Sequence, residues 1–159
     1  MSEGDLVRVA DRIRRELTEL ERVVNRIDKG WKLAKNRDDD IYVDSVAYNL
    51  QGFYSGLERT FSVITKHLDG NLPQGDSWHL QLLEQMTTAK PPYRPAVISQ
   101  SVGEALNDYR GFPHVARNVY YHRLDPKRIG ELVKRIPKLY SQVKAELSAF
   151  AAFLEARQP

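Results

Sequence analysis

The chain has 159 residues, 42% of them hydrophobic, with a formal net charge of +3 and a pI of about 9.1. That size and composition suit one soluble domain with a real core, and the mild basicity is compatible with a nucleic-acid partner without requiring one. The lack of cysteine excludes disulfides and thiolate metal sites, no apolar run approaches the roughly 20 residues of a membrane span, and the acidic start Met1-Ser2-Glu3-Gly4-Asp5 lacks the apolar stretch of a secretory leader, so a cytoplasmic protein is expected.

The first predicted element is a long helix. Leu6, Val9, Ile13, Leu17, Leu20, Val24, Ile27 and Trp31 step by three and four, which places them on one stripe. Arg8, Arg12, Arg15, Glu19, Arg22 and Arg26 fall on the other face. That face reads first as solvated and laced with ion pairs, and second as a basic surface for RNA. Asn36-Arg37-Asp38-Asp39-Asp40 then breaks the periodicity, and its aspartates suit the start of a new helix, where the macrodipole favours negative charge. Three adjacent carboxylates cannot all face one ion from a regular helix, so no metal is expected there.

Val43, Val46, Leu50, Phe53, Leu57, Phe61, Ile64 and Leu68 mark a second long helix. Gly52 and Gly56 lie inside it, where each costs about 1 kcal/mol against alanine, so both predict close approach by another helix. Glu58 and Arg59 read as members of surface or helix-packing ion pairs. A turn-rich loop over residues 69–75 leads to a short helix with Trp78, Leu82 and Met86, capped by Asp76 or Ser77, with His79 at its surface or edge. Residues 90–95 hold three prolines and predict a stiff, extended connection.

Ser99 or Ser101 is placed to cap the next long helix, and Glu104 would complete a capping box with Ser101. Val102, Leu106, Tyr109, Ala116 and Val119 mark its buried side, with Gly111 and Pro113 forcing a kink or a restart. Asp125-Pro126 is a strong start signal for the last helix: a cap residue, then proline at the first helical position. Ile129, Val133, Ile136, Tyr140, Val143, Leu147, Phe150 and Leu154 give that helix its apolar stripe, and Pro137 predicts a kink. Between Arg123 and Lys144 seven basic residues (Arg123, Lys127, Arg128, Lys134, Arg135, Lys138, Lys144) face two acids (Asp125, Glu131), a solvated face that is also suited to attracting phosphate. Strand signals are absent. The expected fold is all-α, an up-and-down four-helix bundle with one extra short helix, forming a single domain over residues 1–159.

The chemistry concentrates in Arg117-Asn118-Val119-Tyr120-Tyr121-His122, with His114 one turn before it. Cleaving RNA without a metal requires a base for the 2′-hydroxyl proton and a cation for the charge that builds on phosphorus. Histidine titrates near neutrality, arginine offers a planar fork for phosphate oxygens, and Asn118 can bond the phosphate or orient the histidine. On a regular helix Arg117 and His122 point about 140° apart, so they converge only if the helix ends or loosens near His122. His114 and Arg117, three apart, share a face without distortion, so either histidine is a candidate base. Tyr120 and Tyr121 can stack on a base or pack inward, and Arg123 adds a cation beside them.

Arg117-Asn118-x-x-x-His122 resembles the R-x4-6-H motif of the HEPN superfamily. The run from Asp44 through Asn49, Gly52 and Gly56 to Glu58-Arg59 makes the chain similar to the HepT-like branch of bacterial toxins, over roughly residues 40–135. The resemblance implies a HEPN-like helical domain that forms a homodimer. It also implies a metal-independent endoribonuclease acting as the toxin of a toxin–antitoxin pair, needing no cofactor, with an MNT-type nucleotidyltransferase as antitoxin. Arg117 and His122 would be catalytic and Asn118 supporting. The alternative is a non-catalytic HEPN-like module that binds RNA, a nucleotide or a protein partner. Where related toxins carry a tyrosine that the antitoxin AMPylates, two residues after the motif histidine, this chain has Leu124. That departure excludes modification at this position and leaves Tyr120 or Tyr121 as the only nearby phenols.

Overall fold

A computed structural model describes residues 2–110 and 125–157. Its helices are α1 (Glu3–Arg37), α2 (Ile41–Ile64), the short α3 (Trp78–Met86), α4 (Gln100–Arg110) and α5 (Pro126–Ala156). No strand is present among the described residues, only an isolated bridge between Lys90 and Arg94. None of the described helices is long and apolar enough to cross a membrane. Gly111, Pro113, Ala116 and Val119, read as continuing or interrupting the fourth helix, lie outside the described residues.

The elements follow from their periodicity. On α1, Val9, Ile13, Leu17, Leu20 and Ile27 are buried, while Leu6, Val24 and Trp31 pack partly buried against the same core. All eight residues of the α5 stripe, from Ile129 to Leu154, are buried, and the helix runs through Pro137 to Ala156. On α2 the stripe is buried from Val46 to Ile64, after which the chain widens into a π-turn, Thr65–Asp69, closed by Gly70 at φ 81.

Pairings along the bundle give the directions. Gly30 abuts Val46 and Gly56 abuts Leu20, so α2 runs antiparallel to α1. Trp31 lies against Gly130 while the Tyr140 hydroxyl donates to the Leu17 carbonyl at 2.8 Å, so α5 is also antiparallel to α1. Ser99 meets Glu146 and Tyr109 meets Leu132, which makes α4 antiparallel to α5. The order is up-down-up-down, with α3 inserted in the α2–α4 connection, as the sequence predicts.

The caps differ in detail from expectation. Asp40 holds the N-cap position of α2 without a side-chain bond, while Asp39 Oδ1 accepts from the Ile41 amide at 3.0 Å. Ser77 precedes α3 but makes no capping bond. Ser99, not Ser101, caps α4 by accepting from the Val102 amide at 3.3 Å. The second half of the expected capping box is supplied from across the bundle, where Glu146 Oε1 accepts from the Ser99 amide at 2.6 Å in place of Glu104. A tertiary carboxylate outcompetes the local one because it also takes the Ser99 hydroxyl at 2.9 Å.

The two glycines of α2 also separate. A methyl at Gly56 would meet Glu16 Oε1 at 2.6 Å and Leu20 Cδ2 at 3.1 Å, the expected close approach, but at Gly52 it would meet nothing within 4 Å. Gly103 in α4 is tighter still, since a methyl there would fall 2.4 Å from Thr87 Cγ2. Thr87 cannot swing freely because its hydroxyl donates to the Glu84 carbonyl at 2.8 Å. Gly52→Ala should therefore stabilise the protein by about 0.5–1 kcal/mol through helix propensity. Gly103→Ala should destabilise it by about 1–3 kcal/mol through overpacking. Urea unfolding of the two variants checks the opposite signs.

Candidate functional site

Arg117, Asn118, His114, His122, Tyr120, Tyr121, Arg123 and Leu124 all lie outside the described residues. Arg110 is the last described residue of α4, its Nε donating to Asn107 Oδ1 at 2.7 Å. Asp125 opens α5 in extended conformation, its side chain accepting from the Lys127 amide at 3.0 Å, with Pro126 at the first helical position as the sequence predicts.

Three contacts fix these ends relative to each other. Tyr109 is 1% exposed, and its hydroxyl donates to the Leu132 carbonyl at 2.6 Å. Its ring meets Phe53 of α2 edge-on at 6.1 Å between centroids. Burial pushes the Tyr109 phenol up to about 12, so it remains a donor at any physiological pH. On the surface, Arg135 Nη1 donates to Asp108 Oδ2 at 2.8 Å, and that bond raises the guanidinium further above its ordinary range. These contacts bolt the last described turn of α4 to α5 and α2.

Asp108 and Glu58, the acids of α4 and α2 near this level, each have a basic partner. Asp108 takes Arg135, and Glu58 Oε2 lies 2.6 Å from Nδ1 of His79. The His79–Glu58 pair is half-buried and ties α3 to α2, with the His79 ring against Trp78 at 3.6 Å between centroids. Arg59 reaches Glu16 of α1 at 3.6 Å, so Glu58 and Arg59 serve different helix interfaces rather than each other. Tyr54, one turn before Glu58 on α2, is buried, and burial together with nearby Glu58 holds its phenol well above the ordinary range against the opposing effect of Arg110. Glu58, Tyr54 and Arg110 therefore share one electrostatic neighbourhood at the C-terminal end of α4.

Sequence reasoning missed the most completely bonded charged group. Residues 90–95 do not extend. They fold back, with the Lys90 amide donating to the Arg94 carbonyl at 2.9 Å and the Arg94 amide returning to Lys90 at 3.0 Å. This turn delivers Arg94, 3% exposed, into the molecule. Its Nε and Nη2 grip both oxygens of Asp69 at 2.8 Å. Nη1 donates to the carbonyls of Thr88 and Pro95 at 3.0 Å, and Nη2 also donates to that of Gln85 at 3.2 Å. Every guanidinium hydrogen has an acceptor, so this is a structural clasp between the end of α2 and the α3–α4 connection. Proline-rich composition masked it, since nothing local marks Arg94 as inward-facing.

The basic face of α5 is present. Lys127, Arg128, Lys134, Arg135, Lys138 and Lys144 are all exposed. Arg128 leans to Glu131 at 3.9 Å and Lys144 to Glu21 at 3.6 Å. Lys127, Lys134 and Lys138 have no acidic partner among the described residues. Among those residues no group of three His, Asp or Glu side chains is arranged to hold a metal ion.

A family model described as HepT-like protein matches residues 45–154, more than two-thirds of the chain. The match begins within α2, ends within α5, and reaches past residue 135, where the motif resemblance ends. No curated protein and no solved structure matches the chain.

Proposed function

Since the chain belongs to the HepT-like family of the HEPN superfamily, we propose that it is a metal-independent endoribonuclease, the toxin of a toxin–antitoxin pair. The observation that carries this reading is the family match over residues 45–154, a range whose sequence includes Arg117-Asn118-x-x-x-His122.

In the proposed reaction His122 or His114 removes the 2′-hydroxyl proton of the substrate. The freed 2′-oxygen attacks the adjacent phosphorus, the P–O5′ bond breaks, and the 5′-oxygen leaves with a proton from solvent or the second histidine. Arg117 holds the non-bridging oxygens as negative charge builds on them, and Asn118 orients the phosphate or the histidine. The products are a 2′,3′-cyclic phosphate and a 5′-hydroxyl. Tyr120 and Tyr121 stack on bases flanking the scissile bond, and Arg123 holds a neighbouring phosphate. The working form is a homodimer with two motifs facing one cleft. The antitoxin is an MNT-type nucleotidyltransferase, which at Leu124 finds no phenol to modify.

Incubation of the purified protein with RNA in excess EDTA, followed by mapping of the new ends, tests the proposal. Cyclic-phosphate and 5′-hydroxyl ends are expected. RNA that is bound but stays intact would instead make the chain a non-catalytic HEPN-like module.

A further inference from the structure

A groove of about 460 Å³ runs between α4 and α5. Tyr109 and Leu139 are buried at its base, while Lys134, Lys138 and Gln142 are exposed along its α5 edge. Arg135 also lines it, but its charge is spent on Asp108 at 2.8 Å. Lys134 and Lys138 are four apart on one face of α5, and neither has an acidic partner among the described residues. Lys127 lies seven residues before Lys134, two turns along the same face, so the three ammonium groups form a row of about 16 Å. Glu131 interrupts that row, but its carboxylate turns toward Arg128 at 3.9 Å.

We propose that this groove seats the sugar-phosphate backbone of a single RNA strand, with Lys134 and Lys138 on successive phosphates. A row of cations fits a linear polyanion and not a compact one, because each ammonium then neutralises its own phosphate and releases its own counterion. Lysine suits such a role, since a mobile point charge tracks a backbone without demanding one geometry. The row climbs toward Asp125, at the start of α5. The choice of RNA as the polyanion rests on the ribonuclease reading above; the groove and its charge do not.

Fluorescence anisotropy with a labelled single-stranded 2′-O-methyl RNA oligonucleotide tests the groove apart from the chemistry, because that oligonucleotide has no 2′-hydroxyl to attack. Exchange of both lysines (Lys134→Glu with Lys138→Glu) is expected to weaken binding on the order of tenfold at low salt. It should also lower the slope of log K against log salt by about 1.4, from roughly 0.7 per lost contact on a single strand. The neutral pair, Lys134→Gln with Lys138→Gln, should show the same slope change. Lys66→Glu, in the turn after α2 and outside the groove, should leave binding within about twofold. Unchanged affinity and slope in both lysine variants would overturn the proposal. So would displacement of the oligonucleotide by polyglutamate as readily as by unlabelled RNA, which would assign the groove to an acidic polypeptide. Wild-type protein that binds the oligonucleotide through these lysines but leaves ordinary RNA intact would uphold the groove and sink the ribonuclease reading.

Discussion

Replacing Arg94 by methionine is expected to destabilise the protein by about 3–5 kcal/mol, the usual cost of removing one partner from a buried ion pair. Methionine keeps most of the aliphatic stem and removes the guanidinium with all its donors. The Asp69 side chain, 2% exposed, would keep only Gln85, which donates at 2.7 Å, and Lys90, which approaches at 3.4 Å. The carbonyls of Gln85, Thr88 and Pro95 would lose their donors as well. Urea unfolding with far-UV detection reads the loss directly, and a change below about 1 kcal/mol would show that the clasp contributes little. Asp69→Leu combined with Arg94→Met should recover part of the loss, because the double change removes the buried charge together with its partner.

The same clasp carries a pH signature. Burial acts to push the Asp69 carboxyl up, but hydrogen bonds from Arg94 and Gln85 and the charges of Arg94 and Lys90 outweigh it and hold the carboxyl below its ordinary value of 3.8. The folded protein thus binds this proton less readily than the unfolded chain. Its contribution to stability is full above the unfolded value and drains away as the pH falls through the folded one. Arg94→Met should remove that acid limb, leaving a flatter stability profile below about pH 4 than the wild type shows.

Arg117→Ala is expected to lower the rate of RNA cleavage by about 10²–10³-fold, the scale on which losing one group aimed at transition-state charge is felt. Binding should fall far less, since the lysines of α5 still hold the strand, and the thermal midpoint should stay near that of the wild type. Cleavage at the wild-type rate by a folded Arg117→Ala protein would end the ribonuclease mechanism proposed here. His122→Ala and His114→Ala then assign the base. The variant whose cleavage collapses while its fold is kept identifies it.

The helices were legible because burial repeats with the helical period. Every residue of the α5 stripe is buried and the α1 stripe is buried or partly so, and Asp125-Pro126 begins α5 through its own backbone geometry. Where a reading depended on one residue's immediate surroundings it divided. Gly56 receives α1, while Gly52, four residues earlier on the same helix, faces open space. The expected Ser101–Glu104 box yields to Ser99 and Glu146, which are 47 residues apart.

What the sequence by itself determined is the set of helices, their order and antiparallel pairing, the basic character of α5, and the motif that marks the family. Each of these is encoded in spacing along the chain, in periods of three and four or in a short run of residue types. Only the tertiary structure decided that Arg94 turns inward to Asp69, that Glu58 meets His79, and that Tyr109 and Asp108 bolt α4 to α5. Those pairs are 25, 21, 23 and 27 residues apart, and their partners are chosen by which surfaces the packed helices bring within reach. Local periodicity carries the direction in which a side chain points from its helix, but not what stands opposite it once the bundle closes.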